Sequence, residues 1–214
     1  VKFNIFERVN RAGMNLNKQE MRHALYQGKA TKLIQDLAES SEFLDSTGRG
    51  VRPDRMRDRY LVLRFVAFYL FMNKKMPMIE YRSDIDMFLA STMRFINIKA
   101  SEELIESTAE ACINGMRNAY IIGGDSIYRL EPKSGDKRRP VNMGLFEIMV
   151  YALSYIDIER LDPEINYSLL IGEYKNNLEA VGVFSSSIDT INYVNIRFEF
   201  ALEITRALKN AYIY

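Results

Sequence analysis

The sequence has one histidine, one cysteine, no tryptophan and no excess of either charge. A lone histidine, His23, excludes chemistry that needs two, such as a zincin pair on one helix face or an HNH nuclease centre. A Ser-His-Asp triad could be assembled only through His23, and no neighbouring residue suggests one. Cys112 alone can neither close an intramolecular disulfide nor build a multi-cysteine zinc site, so no metal is expected, and its solitary use suits a reducing cytoplasm. With 29 Lys and Arg against 28 Asp and Glu, the formal charge is +1, so any nucleic-acid contact must come from a local patch. Long apolar runs are missing too. The most hydrophobic stretch, Tyr60 to Met72, contains Arg64 and falls short of the about 20 residues a bilayer needs. It reads as a buried central helix, and no membrane partner is expected.

What is present is the composition of a globular protein, 48% hydrophobic and 27% charged over 214 residues. A chain of this size should bury roughly 70% of its unfolded surface. Apolar residues recur at helical spacing nearly throughout, and period-two alternation is scarce. The expectation is an all-α multi-helix bundle forming a single domain over 1–214, with 127–139 the sole candidate for a short hairpin. Asn17 and Glu20 have the spacing of a capping box, and Gly28 is placed to stop that helix. A second helix should carry Leu33, Ile34 and Leu37. Ser83, Ser101, Pro140 and the pair Asp162-Pro163 are the expected starts of later helices, and Gly123-Gly124 ends the one that begins at Ser101. The last should run from about Thr190 to Tyr212 through Ile191, Val194, Phe198, Leu202, Thr205 and Leu208. Val1 to Val9 already reads as the interior of an element with no cap before it, so an upstream portion is expected to be missing.

The stretch Phe6-Glu7-Arg8-Val9-Asn10-Arg11-Ala12-Gly13-Met14-Asn15-Leu16-Asn17-Lys18-Gln19-Glu20, continued by Arg22 and Tyr26-Gln27-Gly28, resembles a signature of the GmrSD-type restriction-endonuclease N-terminal domain. Leu63-Arg64-Phe65-Val66-Ala67-Phe68, Gly124-Asp125-Ser126-Ile127-Tyr128-Arg129 and Pro140-Val141-Asn142 with Phe146-Glu147 are similar to later, weaker landmarks. The resemblance implies the helical later part of a ParB/sulfiredoxin-like domain in a modification-dependent restriction protein acting in phage defence. It also implies a nucleoside triphosphate with magnesium as cofactor of the full-length protein. The implied partners are the missing upstream half of the domain, DNA, and an HNH nuclease domain or subunit. The family's Asp-Gly-Gln-Arg signature and the nuclease are both absent from these residues, so the chain alone is expected to be inactive.

Several residues carry candidate chemistry. Arg8, Asn10, Arg11 and Gly13 lie in a turn before a helix start, where free N–H groups and a nearby guanidinium make an anion site. The alternative is that Asn17 and Glu20 already satisfy those groups and that Gly13 only supplies a positive φ. Arg49, Arg52, Arg55 and Arg57 form an arginine-rich connection, and Arg138 and Arg139 close a second basic turn beginning at Lys133. These are either phosphate contacts to DNA or solvated loops with local Arg–Asp pairs. A non-enzymatic module that binds DNA or protein through such loops is the rival to the nucleotide-dependent reading. Arg64, apolar on both sides, must find a carboxylate in another helix or point into a cleft, because an unpaired buried guanidinium costs several kcal/mol. His23 and Cys112 read as helix-edge and core residues.

Overall fold

A computed structural model describes residues 16–132, 137–184 and 187–213, and these carry nine α-helices and no strand. In chain order they are α1 (Lys18–Leu25), α2 (Lys29–Ala38), α3 (Ser41–Ser46), α4 (Arg57–Met72), α5 (Ile85–Ile98), α6 (Glu102–Gly123), α7 (Met143–Leu153), α8 (Tyr167–Val181) and α9 (Ile191–Asn210). The all-α bundle follows from the helical spacing of the apolar residues. Among the described residues of 127–139 there is no hairpin. Instead the Asn142 N–H donates to the Tyr128 carbonyl at 2.8 Å, and Pro140 between them has no N–H to offer a ladder.

One apolar core joins the helices, with α4 and α7 at its centre. Leu61 to Phe68 of α4 are buried without a break, and so is every residue of α7 from Gly144 to Leu153. A helix that is apolar all round must be covered all round. Phe68 is the hub, with its ring 5.3 Å from Tyr81, 5.2 Å from Phe88 and 5.5 Å from Phe198. Burying such a side chain stabilises the fold by about 1.5–3 kcal/mol. Helix α6 packs closely on α7 because Gly115 has no side chain, and a Cβ there would stand 2.3 Å from the Val150 carbonyl oxygen. No helix among the described residues is long and apolar enough to cross a membrane.

The helix starts show where local signals were overruled. Asn17 caps α1 as expected, accepting from the Gln19 and Glu20 N–H groups at 2.8 Å, while Glu20 accepts from the Asn17 N–H at 2.6 Å. The helix stops at Leu25, however, and Gly28 (φ 141°) opens α2 instead. Asn97 of α5 fixes that corner, accepting from the Ala30 N–H and donating to the Tyr26 carbonyl. Ser83 does not cap α5. Its Oγ accepts from the Ile191 N–H of α9, and Asp84 takes the capping role. Helix α7 starts after Pro140, behind Asn142, whose side chain accepts from the Leu145 N–H. Asp162-Pro163 forms a turn, and Asn166 caps α8. Of the apolar stripe expected in α9, Ile191 and Leu202 are 41% and 43% exposed, and Arg197, Ala201 and Ile204 are buried beside the rest. Short α3, behind Ser40, has too few residues for a periodic signal.

Candidate functional site

The arginine-rich stretch from the end of α3 into the first turn of α4 divides into paired and unpaired members. Arg49 approaches Asp45 at 3.9 Å, Arg55 approaches Glu20 at 3.3 Å, and Arg59 bonds Glu39 at 2.9 Å. In the second basic turn Arg138 pairs with Asp125 at 2.5 Å and Arg139 with Glu179 at 2.6 Å. Arg52 and Arg57 are exposed and have no carboxylate partner among the described residues. They line one cleft of about 420 Å³ together with Gly50, Tyr60 and Val141. Arg57 and Tyr60 also line an adjoining cleft of about 400 Å³ shared with Lys18, Gln19, Arg22, Arg55 and Asp86. Tyr60 is thus a common wall.

Backbone geometry places these cations at the start of α4. Arg55 (φ 59°) and Met56 (φ 56°) both adopt the left-handed conformation, which costs a side-chain-bearing residue of order 1–3 kcal/mol. The α1 capping box holds this kink. The Asn17 side-chain amide donates to the Arg55 carbonyl at 2.7 Å, and Glu20 faces the Arg55 guanidinium. Met56 stands at the N-cap of α4 and no side chain caps that terminus. An uncapped helix start carries partial positive charge, and two unpaired guanidinium groups beside it strengthen the pull on an anion.

Behind the clefts lies buried charge. Arg22, 1% exposed, bonds Asp86 at 2.7 Å and Gln19 at 3.0 Å, with its guanidinium 5.5 Å from the Tyr60 ring. Burial pushes the Asp86 pKa up, but the bonds from Lys18 and Arg22 outweigh it and hold the carboxyl below the usual range. Deeper in, Arg64 donates from Nε to Glu147, from Nη2 to Asp189 at 2.6 Å and from Nη1 to the Tyr60 hydroxyl at 3.2 Å. Arg197 donates to the other Glu147 oxygen at 3.1 Å and to the Ile188 carbonyl at 2.5 Å. Burial weakens the hold of Arg64 on its proton, yet Glu147, Tyr60 and Asp189 more than compensate and raise its pKa well above the ordinary value. Arg64 is therefore a structural pair in the core, where it touches the clefts only through Tyr60.

The sequence-predicted residues do not converge on one site. Arg8, Asn10, Arg11, Gly13 and Lys133 lie outside the described residues. Arg49 faces a different cleft, of about 780 Å³, lined also by Tyr120 and by two carboxylates, Asp45 and Asp125. Arg52, Arg55 and Arg57 come together, whereas Arg138 and Arg139 are held by their own acids. Sequence reasoning missed Arg22 and Tyr60, the residues that wall the site. Their signal was a cation and a ring lying, respectively, inside a predicted capped helix and at the head of the apolar run. Among the described residues no group of three or more His, Cys, Asp or Glu side chains is placed to hold a metal. No family model, curated protein or solved structure matches this chain.

Proposed function

We propose that this chain is the helical part of a nucleotide-dependent restriction protein of the GmrSD type, and that the cleft of Arg52, Arg57 and Tyr60 holds a phosphate group. The observation that carries the reading is selective pairing. Arg49, Arg55, Arg59, Arg138 and Arg139 each have a carboxylate, while Arg52 and Arg57 have none and flank an uncapped helix start. Each guanidinium can recognise phosphate oxygens through two parallel N–H bonds. A magnesium ion accompanying a nucleotide is held largely by phosphate oxygens and water, so it needs no dedicated protein cage. The GmrSD-like stretch from Phe6 runs into Asn17 and Glu20, the residues that clamp the arginine kink. The phosphate comes from a nucleoside triphosphate in this reading and from the DNA backbone in its rival.

The two sources separate by titration of the intact protein with fluorescent ATP or GTP analogues and, independently, with a labelled DNA duplex. Arg52→Ala/Arg57→Ala should weaken nucleotide binding about tenfold or more, which is about 1.4 kcal/mol. Arg49→Ala should leave it unchanged. Nucleotide affinity that survives the double substitution defeats the proposal. Loss confined to DNA, with a shallower salt dependence, transfers the arginines to the DNA-backbone reading.

A further inference from the structure

The outer face of α5 is exposed and carries apolar residues at both ends. Met87, Ser91, Arg94 and Ile98 follow one another at intervals of four, three and four residues, which places them along one stripe. Met87 is 59% and Ile98 is 66% exposed, and Met78 in the preceding turn is 92% exposed. Pro77, Met78 and Ile79 form one wall and Ser91, Phe95 and Ile98 the other of a groove of about 590 Å³. At 1.5 Å per residue the part of the stripe that lines the groove, Ser91 to Ile98, is roughly 10 Å long, about two helical turns. Isolated exposed apolar residues are ordinary, but a groove between two such rows is a docking shape.

Charge selects the occupant. Arg94 and Lys99 line the groove, and Lys74 and Lys75 precede its outer wall in the chain. None of the four has a carboxylate partner among the described residues, and no carboxylate lines the groove. The acids of α5 are occupied elsewhere, since Asp84 caps the helix and Asp86 binds Lys18 and Arg22. We infer that this groove docks an acidic amphipathic helix of a partner protein, with about two of its turns in the groove, apolar residues facing in and carboxylates against Arg94 and Lys99. The site shares no residue with the arginine-lined cleft and does not depend on the reading given to it.

The test uses the 214-residue chain and a fluorescein-labelled helical peptide of about 16 residues, with leucines at i, i+3, i+4 and i+7 and glutamates on the flanks. A second peptide has lysine in place of every glutamate. The acidic peptide should bind with a Kd on the order of 10–100 µM, and the basic one at least about tenfold more weakly. Met78→Ser/Ile98→Ser and, separately, Arg94→Glu/Lys99→Glu should each weaken the acidic peptide about fivefold or more, with unchanged circular dichroism. All of these positions are exposed, so folding should survive substitution. Equal affinity for both peptides, or indifference to both double variants, overturns the inference. So does a groove-dependent association with vesicles of phosphatidylcholine and phosphatidylglycerol, which makes the face a membrane contact. Concentration-dependent dimerisation abolished by Met78→Ser/Ile98→Ser overturns it as well, because the occupant is then a second copy.

Discussion

A guanidinium with no exposed surface persists only if protein atoms replace all of its water. Arg64 meets that condition through Glu147, Asp189 and Tyr60, whereas Arg197 shares the second Glu147 oxygen and bonds the Ile188 carbonyl but leaves its Nε without a partner. Removing the shared partner leaves two buried cations facing a neutral group. Glu147→Gln should therefore lower unfolding stability in urea by about 3–5 kcal/mol, and a loss under about 1 kcal/mol would contradict the network. That Arg64 needs a partner is legible in the sequence, because it interrupts an apolar run. The partner was not, since 83 residues separate the pair. The available signal was that Glu147 is likewise the one charge in an apolar helix, and two such intruders tend to find each other. His23 gives a second prediction. Burial first, and then the charge of Arg59, lower its pKa from the ordinary 6.5, so the folded state disfavours the imidazolium. Well above pH 6.5 His23 is neutral in both states and contributes nothing. As pH falls below that value the unfolded chain gains the proton first, and stability declines until the folded pKa is passed. The single imidazole resonance should titrate with a midpoint below 6.5, and His23→Asn should flatten this part of the stability profile; a midpoint at or above 6.5 contradicts the assignment. Cys112, fully buried with its thiol pKa pushed up by desolvation, should be alkylated only as fast as the protein unfolds.

Helices report a different balance. Glycine in the middle of a helix normally costs about 1 kcal/mol relative to alanine, so propensity alone makes Gly115→Ala stabilising. The Val150 carbonyl, 2.3 Å from the position of a new Cβ, is backbone and cannot swing away. Overpacking of this kind costs about 1–3 kcal/mol. Gly115→Ala should therefore lower the melting temperature, and a rise would show that α6 and α7 can separate freely. The existence of the longer helices was readable from periodicity, and so were the starts at Ser101 and Thr190, whereas three others were not. Ser83, Pro140 and Asp162-Pro163 are all good local starts, yet each is used otherwise: Ser83 holds α9, the Pro140 segment runs back to Tyr128, and Asp162 makes a turn. In every case an Asp or Asn one to four residues later caps the helix instead. Capping strength is similar among Ser, Asp and Asn, so tertiary contacts decided between them. At α1 no such competitor exists. Asn17→Ala should cost about 1 kcal/mol through the lost cap, and a larger loss would measure its bond to Arg55 as well.

Across the whole molecule, Tyr60 separates two kinds of arginine: buried and paired Arg22 and Arg64 lie behind it, and exposed, unpaired Arg52 and Arg57 lie in front. Residues from the α1 cap, the arginine loop and the start of α4 converge there, although they span Asn17 to Leu61 in the chain. Composition gave no hint of such a site, because the near-zero net charge reflects acids that neutralise most arginines one by one. Which arginines remained unpaired depended on long-range packing that periodicity cannot supply. The proposal of a phosphate-binding cleft stands on that remainder. Its most direct measurement is two-dimensional NMR of the arginine Nε–H groups in the intact protein during titration with a magnesium nucleoside triphosphate. Arg52 and Arg57 should shift together and saturate, while Arg49, Arg138 and Arg139, held by carboxylates, stay still. Movement of the paired arginines alone, or no movement of Arg52 and Arg57 at saturating nucleotide, would contradict the account.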